Sequence, residues 1–225
     1  MQCVLLLGGY GTRLGSLTKD LPKPLVPIMG RPFLDYLLDL LIRSGFKDFL
    51  FLNAYHSDLI VKRYTNSYAR GITFKHSNEA VPMGTGGALY NAQKFLDNRF
   101  IMINGDTFLP MDYEAFFQEV KENSKQYIVG TKNLTSDEKY NINVKSDFLI
   151  ESIGSNDSNY IDSGVYCFDS YFFKQKYAKF PFALSSAYPE MISQNKLNLY
   201  ETKTQYFDIG TPARLEIFQK YLESL

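Results

Sequence analysis

The sequence predicts an α/β protein with a doubly wound, mostly parallel sheet and a small β-rich lobe. Up to about residue 132, short apolar runs alternate with segments whose apolar side chains recur at helical spacing. That alternation is typical of parallel strands joined by right-handed helical crossovers. From about residue 133 the strand-like segments become shorter and partly antiparallel in character. Ligands of such sheets bind at the carboxyl ends of the strands, where the strand order reverses.

The first elements are the best defined. Residues 2–7 (QCVLLL) form a short, largely apolar run, as expected of a strand buried on both faces. A helix is predicted over residues 33–44, because leucines recur there at helical spacing. Pro32 suits the first turn of that helix, and Gly45 suits its end.

The remaining elements are predicted by the same two patterns. In the first part they are strand 49–55, helix 57–64, strand 72–76, helix 86–96, strand 100–104, helix 113–122 and strand 126–131. In the second part they are strands 141–145, 147–153 and 160–169, a helix near 184–195, two short strands and a last helix over 212–224. No repeat, low-complexity stretch or linker divides the chain, so one domain over residues 1–225 is expected.

The composition limits the classes of partner. Basic and acidic residues number 24 each, so no basic excess points to nucleic acid. No apolar stretch approaches the roughly 20 residues of a membrane helix, and Gly8 and Gly9 cut the first apolar run too short for a signal peptide. We expect a cytoplasmic protein with no membrane or nucleic-acid partner. Cys3 and Cys167 lie in apolar runs and are expected as buried, reduced thiols.

A glycine-rich loop directly follows the first strand. Residues 8–14 read GGYGTRL, and a lysine between two prolines, Lys23, comes shortly after. Glycines let consecutive backbone N–H groups approach a phosphate chain without side-chain clash. Arg13 adds a planar charged fork, and Lys23 adds a point charge on a restricted backbone. This combination predicts a site for a phosphorylated ligand.

Two other phosphate-binding patterns do not fit this loop. A dinucleotide loop needs a third glycine, a helix directly after it and an acid at the end of the second strand. Here Leu14 takes the position of that glycine, and the second strand ends near Asn53. The pattern G-x-x-x-x-G-K-[ST] does not occur. An NAD-dependent oxidoreductase and a P-loop protein are therefore excluded.

Residues 6–28, LLGGYGTRLGSLTKDLPKPLVPI, resemble the G-G-x-G-T-R-L…P-K-P signature of sugar-1-phosphate nucleotidyltransferases. Further segments follow in the family order: PMGTGGA (82–88), NGD (104–106), DSGVY (162–166) and FDIGTP (207–212). The resemblance covers essentially the whole chain. It implies a Rossmann-like nucleotidyltransferase fold, with a nucleotide-binding part over about 1–132 and a sugar-binding lobe over about 133–225.

The family reaction joins a nucleoside triphosphate to a sugar 1-phosphate and releases pyrophosphate. Catalysis there consists mostly of positioning and charge neutralisation, because the attacking phosphate is already an anion. By resemblance, the catalytic residues are Arg13, Lys23 and Asp106, and the ligands of a Mg²⁺ cofactor are Asp106 and Asp208. A hard ion of this kind takes one or two carboxylates and completes its shell with phosphate oxygens and water.

The resemblance also implies which residues bind the nucleotide. They are Leu7, Gly8, Gly9, Gly11, Thr12, Arg13, Lys23, Glu79, Pro82, Gly84, Thr85 and Asp106. In this family, loop 79–87 faces the base, with backbone groups of Gly84 and Thr85 toward the base edge. Glu79 can accept from the two adjacent donors of guanine. Uridylyl enzymes more usually carry a glutamine near this position, so GTP is favoured.

The sugar-binding residues implied by the resemblance are Asn104, Gly130, Lys132, Glu151 and Asp162. The sequence departs from the family here, because the common Glu-Lys pair is replaced by Glu151-Ser152, and Asp162 stands where asparagine is usual. We hypothesise that Lys132 replaces the missing lysine in contacting the sugar phosphate.

Within the family, Glu79-x-x-Pro-x-Gly-Thr-Gly-Gly-Ala and NGDTF look most like bacterial D-glycero-α-D-manno-heptose-1-phosphate guanylyltransferases, whose products serve surface polysaccharides such as capsule. Uridylyl transfer to a hexose or N-acetylmuramic acid 1-phosphate stays open, as does a non-catalytic nucleotide-sugar sensor. Long additions at either end of the sequence are absent, which argues against acetyltransferase fusions and the allosteric ADP-glucose type. A homodimer also stays open, since the aromatic-rich segment 171–182 suits an interface or the core.

Overall fold

The computed structural model of the chain describes residues 1–65, 68–134, 138–174 and 180–225. The first part of the chain forms β1 (Gln2–Leu6), β2 (Pro27–Ile28), β3 (Arg31–Pro32), α1 (Phe33–Arg43), β4 (Asp48–Asn53), α2 (Ser57–Arg63) and β5 (Thr73–Asn78). It continues with α3 (Gly84–Asn91), β6 (Arg99–Asn104), β7 (Thr107–Phe108), α4 (Tyr113–Val120) and β8 (Gln126–Thr131).

The second part of the chain forms β9 (Ile142–Val144), β10 (Ile150–Ile153), β11 (Ile161–Asp169), α5 (Tyr171–Lys174), α6 (Tyr188–Ser193), β12 (Leu197–Glu201), β13 (Phe207–Asp208) and α7 (Pro212–Glu223). Short 3-10 helices span Thr12–Thr18, Lys23–Leu25 and Leu184–Ala187. The helix predicted near 184–195 is thus split into a 3-10 turn and α6.

The described residues build one seven-stranded sheet in the order β12-β8-β11-β6-β1-β4-β5. β1 pairs in parallel with both β4 and β6, and β12 pairs in parallel with β8. β11 runs antiparallel between β6 and β8. The predicted doubly wound, mostly parallel sheet is therefore confirmed. The second part of the chain completes this same sheet through β11 and β12.

Alternate side chains of each central strand pack into two hydrophobic cores, one on each face of the sheet. Cys3 and Leu5 of β1 belong to the core under α1, α2, α4 and α7, and Val4 belongs to the core under α3, α5 and α6. A central strand must be apolar on both faces to serve two cores. This explains why residues 2–7 show no polar alternation.

The two cysteines are free and buried, as predicted. Burial raises the pKa of the Cys167 thiol to about 12 and that of Cys3 well above its usual range, so both remain protonated thiols.

In the aromatic-rich segment 171–182, Phe172 and Phe173 pack in the core, whereas Tyr171 is exposed. Residues 175–179 of that segment lie outside the described residues.

Helix α3 begins at Gly84, two positions before its predicted start. Its first N–H groups have no side-chain cap, and the carbonyl of Phe182 accepts from the N–H groups of Gly86 and Gly87 instead. A distant segment therefore satisfies donors that would otherwise lack a partner.

No helix within residues 1–65, 68–134, 138–174 and 180–225 is long and apolar enough to cross a bilayer.

Candidate active site

A cavity of about 590 Å³ opens at the carboxyl ends of β1, β4 and β6. Every residue expected to bind the nucleotide lines it: Leu7, Gly8, Gly9, Gly11, Thr12, Arg13, Lys23, Glu79, Pro82, Gly84, Thr85 and Asp106. The lining also includes residues that the sequence did not single out: Leu6, Tyr10, Pro24, Leu52, Ala54, Ala88, Gly105 and Gly210. Its position matches the sheet edge where the loops of parallel strands converge.

The glycine loop folds back on the 3-10 helix that follows it. Gly11 has a φ of 65°, and a Cβ there would lie 2.8 Å from Thr18 Cγ2 and 3.1 Å from Lys23 Cβ. The Thr18 hydroxyl donates to the carbonyl of Gly11 at 2.9 Å. Glycine is required at this position for both its conformation and the close approach. The loop is thereby held against Lys23.

Lys23 and Asp106 form an ion pair within the cavity wall. The Lys23 side chain is 9% exposed, and that of Asp106 is 31% exposed. Pro22 is extended and Pro24 lies in the first turn of the 3-10 helix Lys23–Leu25. The two prolines fix the backbone on either side of the lysine, so its charge stays directed at the end of β6.

Asp208 lies beside Asp106 through strand pairing. β13 pairs antiparallel with β7, placing Asp208 opposite Thr107, and the N–H of Ile209 donates to the Asp106 carbonyl at 3.1 Å. Burial raises the pKa of Asp208, and the nearby charge of Asp106 raises it further, against the N–H of Gly210 and the guanidinium of Arg214. The two aspartates predicted to share a metal ion are thus close enough to interact electrostatically.

Arg13 lies against the turn that carries Asp208. A Cβ on Gly210 would lie 3.1 Å from Arg13 Nη2 and 2.7 Å from Asp208 Oδ1. The N–H of Gly210 donates to that same carboxylate oxygen at 2.7 Å. Arg13, Lys23 and Asp106 line one corner of the cavity, whereas Asp208 is not among its lining residues and meets this corner through Gly210, which is one of them.

Arg214 is a charged neighbour of this corner that the sequence did not reveal. Its Nη1 donates to Asp208 Oδ2, and its Nη2 lies 3.5 Å from an oxygen of Glu138. The Tyr206 hydroxyl donates to Glu138 in turn. Arg214 follows the D-I-G-T-P segment in the first turn of α7, and this closeness in sequence to Asp208 is the signal that could have found it.

Glu79 forms part of the opposite wall, directly after β5. Its backbone N–H donates to the carbonyl of Asn53 at 2.9 Å, and its Oε2 accepts from the N–H of Met83 at 2.9 Å. Partial burial raises the pKa of the Glu79 carboxyl, and the Met83 N–H lowers it. Glu79 is thus held by one hydrogen bond at its backbone and by another at its carboxylate.

The glycines of loop 83–87 have a second physical explanation, besides their expected contact with the base. The Thr85 hydroxyl accepts from the N–H of Leu184 at 2.7 Å, and a Cβ on Gly84 would lie 2.4 Å from the carbonyl oxygen of Phe182. These glycines make room for segment 180–184. Both Gly84 and Thr85 still line the cavity, so their predicted contact with the base stays a prediction.

The predicted sugar-binding residues are spread more widely. Asn104 lines the cavity, and the other four are not among its lining residues. Gly130 is buried, and a Cβ there would lie 2.4 Å from Leu199 Cδ1, so packing against β12 accounts for this glycine. Lys132 Nζ lies 4.7 Å from the centre of the Tyr160 ring and 4.0 Å from a Glu201 oxygen.

Glu151 is exposed on β10, where it accepts from Asn143 at 3.3 Å. Both carboxylate oxygens of Asp162 already have partners: the N–H of Gly164 at 2.8 Å and the hydroxyl of Tyr166 at 3.0 Å. Burial raises the pKa of Asp162 to about 6. A Cβ on Gly164 would lie 2.9 Å from Asn104 Nδ2, so Asp162 lies next to the cavity residue Asn104 through Gly164.

The donor set at the corner of Asp106 and Asp208 fits a hard divalent cation. Two neighbouring carboxylates supply oxygen ligands, which Mg²⁺ prefers. Among the residues that the structure describes, no cluster of three or more His, Cys, Asp or Glu side chains could hold a metal alone. Such a pair suits an ion whose remaining ligands are phosphate oxygens and water.

The fold and the cavity define a nucleotidyltransferase. The chain belongs to the nucleotidyl transferase family, whose model matches residues 2–224. It is 30% identical over 216 residues to the D-glycero-alpha-D-manno-heptose 1-phosphate guanylyltransferase of Campylobacter jejuni, covering 94% of this chain and 96% of that protein. The protein is accordingly an enzyme of the sugar-1-phosphate nucleotidyltransferase class, with nucleotide and sugar-phosphate substrates.

Solved structures agree with this assignment. HddC from Yersinia pseudotuberculosis, crystallised with GMP-PN, is 28% identical with a TM-score of 0.81, over 98% of this chain and 99% of that one. The inositol-1-phosphate CTP transferase from T. maritima is 17% identical with a TM-score of 0.79, over 99% of this chain and 94% of that one. The second likeness concerns the fold alone.

Proposed function

We propose that the chain transfers the guanylyl group of GTP to D-glycero-α-D-manno-heptose 1-phosphate, giving GDP-heptose and pyrophosphate, with Mg²⁺ as cofactor. The observation that carries this proposal is that one cavity is lined by an oriented carboxylate, Glu79, and by the charged residues Arg13, Lys23 and Asp106. The heptose guanylyltransferase of Campylobacter jejuni and HddC with its GMP-PN support the choice of base and sugar.

Glu79 selects the base by charge and hydrogen bonding. The guanine edge offers a ring N–H and an amino group side by side, and a carboxylate can accept both. Uracil offers one N–H between two carbonyl oxygens, which the carboxylate repels. Because the N–H of Met83 already holds one oxygen at 2.9 Å, the carboxylate keeps its orientation while the nucleotide enters.

The charged corner neutralises the reacting phosphates. Arg13 offers its guanidinium to the triphosphate and the departing pyrophosphate, and Lys23 offers a point charge next to Asp106. Asp106 and Asp208 hold the Mg²⁺ ion, which when bound offsets phosphate charge and makes the α-phosphorus more electrophilic. The incoming sugar phosphate is already an anion, so positioning replaces general-base catalysis.

Asn104 is the residue that binds the sugar at its end of the site. Its side chain lines the cavity, and a Cβ on Gly164 would lie 2.9 Å from its Nδ2. Because Gly164 is itself held by Asp162, its close packing positions the amide of Asn104 for the sugar hydroxyls. Lys132 stays our proposed source of the charge that the family lysine would supply after Glu151.

The test is a matrix of five nucleoside triphosphates against several sugar 1-phosphates, with pyrophosphate release as the readout. We expect the highest kcat/KM for GTP with the heptose 1-phosphate. A higher kcat/KM for UTP with a hexose or N-acetylmuramic acid 1-phosphate would overturn the guanylyl assignment. No pyrophosphate from any pair would indicate a nucleotide-sugar sensor.

A further inference from the structure

We propose that Phe182 is a positioning residue for the base. It fixes loop 83–87 in place and, through Met83, orients the carboxylate of Glu79. The inference deepens the proposed function and rests on it in one respect, namely that Glu79 reads the base.

Phe182 binds the loop through its backbone on both sides. Its N–H donates to the carbonyl of Met83 at 3.0 Å, and its carbonyl accepts from the N–H groups of Gly86 at 3.1 Å and Gly87 at 3.3 Å. Two residues further on, the N–H of Leu184 donates to the Thr85 hydroxyl at 2.7 Å. Segment 180–184 thus caps the start of α3 from outside, where the helix has no side-chain cap.

Met83 transmits this restraint to Glu79. The same residue that accepts from Phe182 through its carbonyl donates through its N–H to Glu79 Oε2 at 2.9 Å. A displacement of segment 180–184 therefore moves Met83, whose N–H holds the carboxylate of Glu79. Phe182 is not among the described residues that line the cavity, whereas Pro82, Gly84 and Thr85 are. It acts on the base through the loop.

Phe182 packs so closely against the loop that a side chain at Gly84 or Gly86 would clash with it. A Cβ on Gly86 would lie 2.3 Å from Phe182 Cε2 and 2.5 Å from its Cδ2, both ring atoms. A Cβ on Gly84 would instead meet the backbone carbonyl oxygen of Phe182 at 2.4 Å, and Gly84 has a φ of +79°. Removing the Phe182 ring relieves both ring contacts at Gly86 and leaves the backbone oxygen of Ala183 at 3.1 Å, whereas the clash at Gly84 stays unchanged.

This difference gives a double-mutant test. Gly86→Ala should displace the ring and raise the KM for GTP about tenfold, a change of about 1.4 kcal/mol. Phe182→Ala keeps the backbone hydrogen bonds to Met83, Gly86 and Gly87 but removes the ring that packs on Gly86. Segment 180–184 is then held less firmly against the loop, so the KM for GTP should rise several-fold. The double variant should bind GTP more tightly than Gly86→Ala alone, because the methyl group occupies the space the ring has left and alanine favours a helix. Gly84→Ala is the matched control, and Phe182→Ala should not rescue it.

Two readouts separate positioning from mere stability. The KM for GTP should rise while the KM for the sugar 1-phosphate and kcat change less than twofold, and the preference for GTP over ITP, which lacks the 2-amino group, should fall. Tyr171→Ala, an exposed aromatic residue in the same part of the chain, should change none of these values. If Phe182→Ala does not fold, Phe182→Leu carries the same measurements.

An unchanged KM for GTP in the Phe182 variants, or a Gly86→Ala defect that Phe182→Ala does not relieve, would overturn the inference. Failure of the proposed function has a different result, because the wild-type protein would then prefer another nucleotide. In that case the rescue is measured with the preferred nucleotide, and it decides whether Phe182 positions the loop.

Discussion

Asp106 and Asp208 each pair with a basic side chain, Lys23 and Arg214 respectively. Both carboxylates are partly buried next to one another, where like charges would otherwise repel. The basic partners offset that repulsion and hold the carboxylate oxygens in place. The two residues proposed to bind the cation are thus kept in a fixed arrangement by basic side chains of the protein.

Glu79→Gln should change the base preference. The amide keeps the length of the side chain but replaces one acceptor by a donor, which suits uracil better than guanine. We expect kcat/KM for GTP to fall at least about tenfold, near the value of one lost charged hydrogen bond, and the ratio of UTP to GTP turnover to rise. Pyrophosphate release with both nucleotides measures this, and an unchanged ratio would remove Glu79 from base recognition.

Asp162→Asn should alter how stability depends on pH. Burial raises the pKa of Asp162 to about 6, above the 3.9 or so of an unfolded aspartate. Between these values the folded state binds more protons, so the free energy of unfolding falls as pH rises from about 4 to about 6. The tyrosines facing this carboxylate, Tyr166 and Tyr188, have raised pKa values and stay neutral there.

The asparagine variant removes this titration and keeps acceptors and donors for Gly164 and Tyr166. At pH 7 it should be more stable than the wild type by up to about 3 kcal/mol, since the pKa of Asp162 is raised by about two units and one unit corresponds to about 1.4 kcal/mol. Urea unfolding between pH 4 and pH 7 measures the effect. Identical pH dependence in the two proteins would show that Asp162 does not titrate in this range.

At the scale of elements, the start of α7 connects helix stability to the charged corner. The Thr211 hydroxyl caps the helix by accepting from the N–H of Arg214 at 3.3 Å, and Arg214 in turn holds Asp208. The first turn of α7 therefore orients a side chain of the active site. Helix α4 has a comparable cap, in which Asp112 accepts from the N–H of Ala115 at 2.9 Å.

Thr211→Ala and Asp112→Ala should separate stability from activity. Each removes one cap and should lower the free energy of unfolding by about 1 kcal/mol. Only Thr211→Ala should also lower kcat, because only its helix carries Arg214. Chemical denaturation and steady-state kinetics on both variants measure this. Equal effects on kcat would contradict a link between the α7 cap and the site.

Most elements could be predicted because their signals are local. The apolar run of β1 and the periodic leucines of α1 are visible in short windows. The glycine loop and Asp106 could also be assigned to one site, since both follow parallel strands and therefore meet at one sheet edge. The placement of β11 between β6 and β8 could not, because strand order depends on packing between distant segments.

The missed parts of the site depend on contacts between residues far apart in the sequence. Tyr206 and Glu138 are 68 positions apart, and Leu184 and Thr85 are 99 apart. The string PMGTGGA was interpreted through the base alone, whereas its glycines also accommodate Phe182. A glycine shows that space is needed, and the sequence does not say which neighbour needs it.

At the scale of the whole molecule, the second part of the chain completes the site of the first. β11 and β12 extend the sheet, β13 brings Asp208 to Asp106, and segment 180–184 holds the loop that follows Glu79. A protein with no net charge thus places a few of its charged residues where several loops converge. Phosphorylated ligands are attracted by this local arrangement and not by the overall charge.

We propose that Asp106 and Asp208 together hold the divalent cation at the reacting phosphates. Electron paramagnetic resonance of Mn²⁺, titrated into the protein with GTP, tests it most directly. We predict that Asp106→Asn and Asp208→Asn each weaken Mn²⁺ binding at least about tenfold, near 1.4 kcal/mol, while Glu216→Gln, an exposed acid of α7, leaves it unchanged. Wild-type Mn²⁺ affinity in both aspartate variants would contradict the claim.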